Sequence, residues 1–276
     1  MSKRGVVLYL HAHQPWRVKD YSVFDTAVDH QYFNDATETD RNNEKILRKV
    51  ADKSYRPMNA LLKKLLDKYP DFKISLSITG TLLEQAEAWT PDVIEDFKAL
   101  IATGRVEVVG ETYYHSLAFF YSRDEFEHQV EAHRQKIKEL FGVVPTAFRN
   151  TELAYNDELA KWTDDNGYRA VLAEGWDPVL TWRSPNFVYR PSGTENVKLL
   201  LKNYRLSDDL AFRFSDRAWE QYPLNADTYS TWIDSALGER GDVRRLEIGD
   251  LPAKGVEQLG TRRAVDLRVR VDEVTA

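Results

Sequence analysis

Residues 5–10, GVVLYL, form a short apolar and β-branched run that leads straight into His11-Ala12-His13-Gln14-Pro15-Trp16. The run has the length and composition of a buried strand. Further runs at 72–78 (FKISLSI), 105–110 (RVEVVG), 145–149, 169–173 and 197–203 bring the strand candidates to six. Helical patterns separate them. From about Asn43, Ile46, Leu47, Val50, Met58, Leu61, Leu62, Leu65, Leu66 and Tyr69 lay one apolar stripe along a helix, which Pro57 is expected to divide in two. Thr90-Pro91 opens a helix running to about Thr103 and stopped by Gly104, Ser122 and Glu125 form a capping box, and Asn156 opens a short helix. Strands alternating with helices predict an α/β fold with a parallel sheet, open or closed as a barrel. No GxGxxG or P-loop fingerprint is present, which favours the barrel.

Composition narrows the function. The 276 residues are 42% hydrophobic, enough for a sizeable core, and carry a net charge of −6. The acidic balance speaks against a nucleic-acid partner. The absence of cysteine excludes disulfides, cysteine-ligated metals and a thiol nucleophile. No apolar run reaches the length of a membrane span or a signal-peptide core, so no membrane partner and a cytoplasmic location are expected.

In α/β folds the ligand site lies beyond the carboxyl ends of the parallel strands. Here those positions carry His11 to Trp16, Glu111-Thr112-Tyr113-Tyr114-His115-Ser116, Arg149-Asn150-Thr151-Glu152, Glu174-Gly175-Trp176-Asp177 and Arg205-Leu206-Ser207-Asp208-Asp209. Each has an ordinary alternative. Glu152 is also a plausible first-turn acid, Ser207-Asp208-Asp209 a plausible helix N-cap, and the histidines and tryptophans plausible core residues. Five such clusters on one rim, with an aromatic surplus suited to sugar faces, point to an active site. Three classes compete: a glycosidase using Glu152 and Asp208 from separate strand ends, a metal-dependent hydrolase or deacetylase built on His11-x-His13 with His115 and Asp208 or Asp209 holding zinc or another divalent ion, and a non-catalytic glycan-binding module.

The residues then resemble a known family. His11-Ala12-His13-Gln14-Pro15, VEVVGETYYHSL at 106–117, FRNTELAY at 148–155 and LSDDLAF at 206–212 are similar, in order, to four signatures of glycoside hydrolase family 57, in the variants of its α-amylase-type members. The resemblance implies an incomplete seven-stranded (β/α) barrel acting on α-glucans or malto-oligosaccharides by retaining double displacement, as hydrolase or 4-α-glucanotransferase, with no metal or other cofactor. It puts the nucleophile on Glu152 and the acid/base on Asp208. His11, His13, Gln14, Trp16, Tyr114, His115, Arg149, Trp176 and Asp209 are expected to bind substrate.

The pattern changes near the end. All 33 aromatic residues lie within the first 232 positions, and the last 39 residues hold seven Arg and one Lys. Residues 1–237 are therefore expected to form a partial catalytic barrel and 238–276 an atypical tail, either out of frame or disordered. A natural short form is the alternative, because Val265, Leu267, Val269 and Val271 alternate with Asp266, Arg268 and Arg270 as in a half-buried strand.

Overall fold

The computed structural model describes residues 4–33, 41–238, 247–248 and 266–271. In chain order its strands are β1 (Arg4–Ala12), β2 (Ile74–Ile78), β3 (Val106–Val109), β4 (Ala147–Arg149), β5 (Ala170–Glu174), β6 (Val188–Pro191), β7 (Lys198–Lys202), β8 (Glu247–Ile248) and β9 (Asp266–Val271). All six predicted runs are strands, and they run parallel in the order β1-β2-β3-β4-β5-β7. The join between β3 and β4 is a single bridge, Gly110 to Phe148, secured by Gly110 N–H to Ala147 O at 2.8 Å and Arg149 N–H to Gly110 O at 2.9 Å. This is an incomplete (β/α) barrel.

Two antiparallel strands add to the parallel strand–helix order. β6 pairs with β7 through Val188–Leu200 and Tyr189–Leu199, a short run ended by Pro191, which cannot donate to a ladder. β9 pairs antiparallel with β1 from Arg4–Val271 to Tyr9–Asp266, on the edge opposite β2, and its backbone passes beside β7. Residues 266–271 thus fall where the alternation predicts a strand. The rest of 238–276, apart from Gly238 and β8, lies outside the described residues.

The helices include α1 (Asn43–Val50), α2 (Arg56–Lys68), α3 (Gly80–Trp89), α4 (Pro91–Ile101), α5 (Arg123–Phe141), α6 (Asp157–Asp165), α7 (Asp177–Leu180), α8 (Tyr204–Asp208) and α9 (Ala226–Gly238). The expected division at Pro57 is a π-turn instead: Ala51–Tyr55 joins α1 to α2 without a break. The wider turn absorbs the hydrogen bond that proline cannot donate and the crowding of its ring on the preceding turn. The predicted N-caps form at Ser122, which accepts from Glu125 N–H, and at Asn156, which accepts from Leu159 N–H, while the Glu125 side chain accepts from Gln129 instead of completing the capping box.

Two apolar clusters support the sheet. Leu47, Leu66, Leu76, Ile78, Leu82, Phe97, Leu100 and Ile137 pack under its first half, and Phe126, Phe148, Leu159, Val171, Tyr189 and Leu199 under its second. Each fully buried side chain of this size stabilises by about 1.5–3 kcal/mol relative to exposure. A third cluster fills the interior: Tyr9 of β1, Val109 of β3, Ala147 of β4 and Leu172 of β5, with Leu153. Side chains two residues apart on a strand share a face. Continuing each strand from this interior layer leads to His11, Glu111, Arg149 and Glu174, all on the rim above it. Lys202 is in register with Glu174, so it projects to the same side.

Candidate active site

Five of the predicted residues meet on that rim. His115 Nε2 lies 3.0 Å from Glu152 Oε1, and His115 Nδ1 lies 3.4 Å from Glu111 Oε2. The same Glu111 oxygen is 3.3 Å from His11 Nε2 and 3.5 Å from Arg149 Nη1. Ser77 Oγ donates to Glu111 Oε1, and His13 Nδ1 pairs with Thr79 Oγ1 at 3.0 Å. The rings of His11 and His13 stack, 5.7 Å between centroids and 3° between planes, and His13 contacts the His115 ring at 4.2 Å. Residues from β1, β2, β3, β4 and the loops after them thus converge on one buried carboxylate.

Their charges follow from geometry. Burial alone would favour a protonated Glu111, but the His11 ring, the two hydrogen-bonded histidine contacts and Arg149 outweigh it and hold the carboxyl well below its ordinary range. Burial and then Arg149 lower His11 to about 4, against the pull of Glu111. Burial, then His115 and His11, lower His13 to about 3. Both are neutral at neutral pH. His115 goes the other way: burial opposes its charge, but hydrogen bonds to Glu111 and Glu152 raise it above the ordinary value. Glu152 is correspondingly lowered, with burial overcome by the His115 bond and the charges of His115 and Arg149. With His115 protonated, two carboxylates face one imidazolium and one guanidinium, and the cluster is formally neutral.

The backbone is strained where the two partners meet. His115, Glu152 and Leu153 have φ of 56°, 54° and 59°, in the left-handed region that glycine favours. Each such residue costs about 1–3 kcal/mol and persists only when its surroundings fix it. The left-handed turn at Glu152 removes it from the helical geometry a first-turn acid would have.

Asp208 sits elsewhere on the rim. It is the last residue of α8, whose N-cap is Asn203, with its side chain accepting from Leu206 N–H. The N-cap reading of Ser207-Asp208-Asp209 is thereby corrected. Asp208 is buried, with Oδ1 3.6 Å from Lys202 Nζ, and Lys202 is also 3.3 Å from Glu174 Oε2. Asp209 pairs with Arg213.

The remaining predicted residues separate into wall and opening. Gln14, 2% exposed, donates to Tyr55 Oη at 3.4 Å and accepts from Arg17 at 3.2 Å, which fixes the loop after β1. Trp16 donates its indole N–H to Glu84 at 3.1 Å and packs edge-on against Trp89. Tyr114 and Trp176 are exposed. Ser77, Thr79 and Lys202 carry no local sequence signal of a site role, whereas Glu111 and Glu174 lie in the strand-end clusters, Glu111 two places beyond inward-facing Val109.

Donor atoms of His11, Glu111 and His115 lie within 4.8 Å of one another, a spacing a divalent ion accepts. Arg149, however, places a permanent positive charge 3.5 Å from two of those atoms. Glu111 is therefore assigned to ion pairing with Arg149 and His115, and no metal role is given to the trio.

The profile of glycosyl hydrolase family 57 matches residues 7–248. The chain belongs to that family. It is 48% identical over 198 residues to a Methanocaldococcus jannaschii protein named "Putative alpha-amylase", covering 71% of this chain and 42% of that one. It is 26% identical over 155 residues to a Pyrococcus horikoshii alpha-amylase, covering 56% of this chain and 24% of that one. The chain thus spans less than half the length of these two relatives. Its fold matches the crystal structure of 4-alpha-glucanotransferase from Thermococcus litoralis, with a TM-score of 0.61 at 18% identity over 86% of this chain and 31% of that one.

Proposed function

We propose that this chain is the catalytic portion of a retaining enzyme acting on α-linked glucose polymers, as a hydrolase or a 4-α-glucanotransferase. The observation that carries the reading is Glu152: a partly exposed carboxylate on the rim, kept ionised by His115 and held in a strained backbone. These are the properties of a poised nucleophile. The names of the relatives support the substrate class.

Glu152 attacks the anomeric carbon, while Asp208, protonated, gives its proton to the departing glycosidic oxygen. The glycosyl ester on Glu152 is then opened by water, or by a sugar hydroxyl, whose proton Asp208 takes. His11 and His13, neutral, offer hydrogen bonds to sugar hydroxyls without competing for the carboxylate charge. Tyr114 and Trp176, both exposed, are suited to stack on flanking glucose rings. Residues 1–237 carry all of these groups. The acidic composition favours a neutral glycan over a nucleic acid as partner.

The test is turnover of malto-oligosaccharides, with the first-formed anomer read by proton NMR. Retention of the α-anomer is expected, and Glu152→Gln and Asp208→Asn should each lower kcat by at least about 10³-fold with the fold intact. Inversion overturns the mechanism. Binding without turnover indicates a glycan-binding form.

A further inference from the structure

His115 has two ring nitrogens, and each faces a carboxylate: Nδ1 faces Glu111 Oε2 at 3.4 Å, and Nε2 faces Glu152 Oε1 at 3.0 Å. A neutral imidazole has one N–H and would turn a lone pair toward one of those anions; only the imidazolium satisfies both. We infer that His115 is a positioning residue whose Nε2–H holds Glu152 Oε1 throughout the reaction and accelerates chiefly the second step, release of the sugar from Glu152. This rests on the reading of Glu152 as the nucleophile.

The chemistry follows from which oxygen is occupied. With Oε1 engaged by His115, the glycosyl bond forms through Oε2. In the ground state the imidazolium stabilises the Glu152 carboxylate, so it slightly reduces its nucleophilicity while keeping it deprotonated. In the ester that charge is gone. During breakdown the oxygen of water bonds to the anomeric carbon and the carbon–Oε2 bond breaks, its electron pair returning to the Glu152 carboxylate. The proton of water goes to Asp208. Negative charge thus develops on Glu152 with the His115 N–H already aimed at it, the arrangement that stabilises a leaving anion best. The proton on His115 never transfers. Glu111 is the reason it stays: fully buried, it presents a fixed negative charge to Nδ1–H, supported by Ser77 Oγ–H. The other charged or titratable groups facing the ring are His11 of β1, His13 just after it and Arg149 of β4, and the two histidines are neutral in the working range. Left-handed backbone at both His115 and Glu152 is the strain expected where two side chains are held in one fixed relation.

The two steps can be timed separately with a 5-fluoro-α-glucosyl fluoride: loss of activity reports ester formation, and its recovery after removal of free reagent reports breakdown. Peptide mass locates the adduct. In the unaltered chain the adduct is expected on Glu152, and recovery should fall as pH rises through an alkaline limb lying above 6.5, the ordinary imidazole value. In His115→Gln, recovery is expected to slow about 100-fold while ester formation changes less than about tenfold. The acid limb of ester formation should also move to higher pH, because Glu152 loses the charge that keeps it ionised. Equal slowing of both steps, or recovery within about threefold of the parent, overturns the inference. If His115→Gln does not fold, the pH profile of the unaltered chain decides alone, and a recovery rate with no alkaline limb up to pH 9 refutes it. Absence of any adduct on Glu152 in the parent sinks the nucleophile reading itself; an adduct with unaffected recovery sinks only the role of His115.

Discussion

Lys202 Nζ lies 3.6 Å from Oδ1 of Asp208, and the same ammonium is 3.3 Å from Oε2 of Glu174. One buried cation, from the last residue of β7, is therefore shared between a carboxylate on the neighbouring strand and the one to which the acid/base role is assigned. It sets a positive charge between two acids of this part of the rim.

Replacing Lys202 by Met should destabilise the chain by about 3–5 kcal/mol, because it removes a buried ammonium that both Glu174 and Asp208 face. Lys202→Met with Glu174→Gln should recover part of that loss. A double-mutant cycle by denaturant unfolding measures the coupling, expected at about 0.5–3 kcal/mol.

Gly175 carries no side chain for a local reason. A β-carbon there would lie 2.1 Å from the carbonyl oxygen of Lys202 and 2.7 Å from Cβ of Pro185. The first of these is backbone and cannot swing aside. Gly175→Ala should therefore cost at least about 2 kcal/mol and displace the Lys202 end of β7, so that unfolding midpoint and kcat fall together.

Acid should weaken the fold before it protonates the ion-paired carboxylates. In the unfolded chain His11 and His13 take up protons near 6.5; in the folded chain they do so only near about 4 and about 3. Between these values the unfolded state binds more protons, so stability drops as pH falls. Each histidine contributes a slope approaching about 1.4 kcal/mol per pH unit. His115 has the opposite sign, since its raised folded value makes a contribution that is full below 6.5 and lost as pH rises through that value. Unfolding midpoints between pH 7 and 5 should decline, and His13→Asn should flatten the decline.

Exposure separates residues that would bind sugar from those that hold the wall. Tyr114→Ala and Trp176→Ala should raise KM by about tenfold, the equivalent of roughly 1.4 kcal/mol of stacking and contact, with little change in Tm. Gln14→Ala should lower Tm instead, because Gln14 is 2% exposed and spends its amide on Tyr55 and Arg17. A KM effect confined to Gln14→Ala would reverse this assignment.

Most of the barrel was legible because parallel strands buried on both faces must be apolar, and their runs stand out between amphipathic helices. All six parallel strands carry this signature. β6 escaped because a run ended by Pro191 reads as loop, and the π-turn before Pro57 escaped because its cause is visible only as a carbonyl that must move aside. Within the site, Glu152 and His115 could be picked from their positions after strands. Their mutual bond could not, since it depends on two left-handed residues that nothing in FRNTELAY or ETYYHSL requires locally. Lys202 was hidden inside a run whose flanking lysines suggest solvent, and only its register with Glu174 turns it inward.

The bridge from Gly110 to Phe148 gives the ion pair above it a mechanical meaning. One short step of ladder joins the strand that leads to His115 with the strand that leads to Glu152. The bond between those side chains is then a clasp across the seam as well as an electrostatic aid. In the proposed mechanism Glu152 passes through an ester; the clasp would then lose half its charge, and the seam is where the barrel would relax. The covalent state of one carboxylate would thus be read out by amide exchange at Gly110 and Arg149, making the breathing of this joint a clock for the reaction cycle.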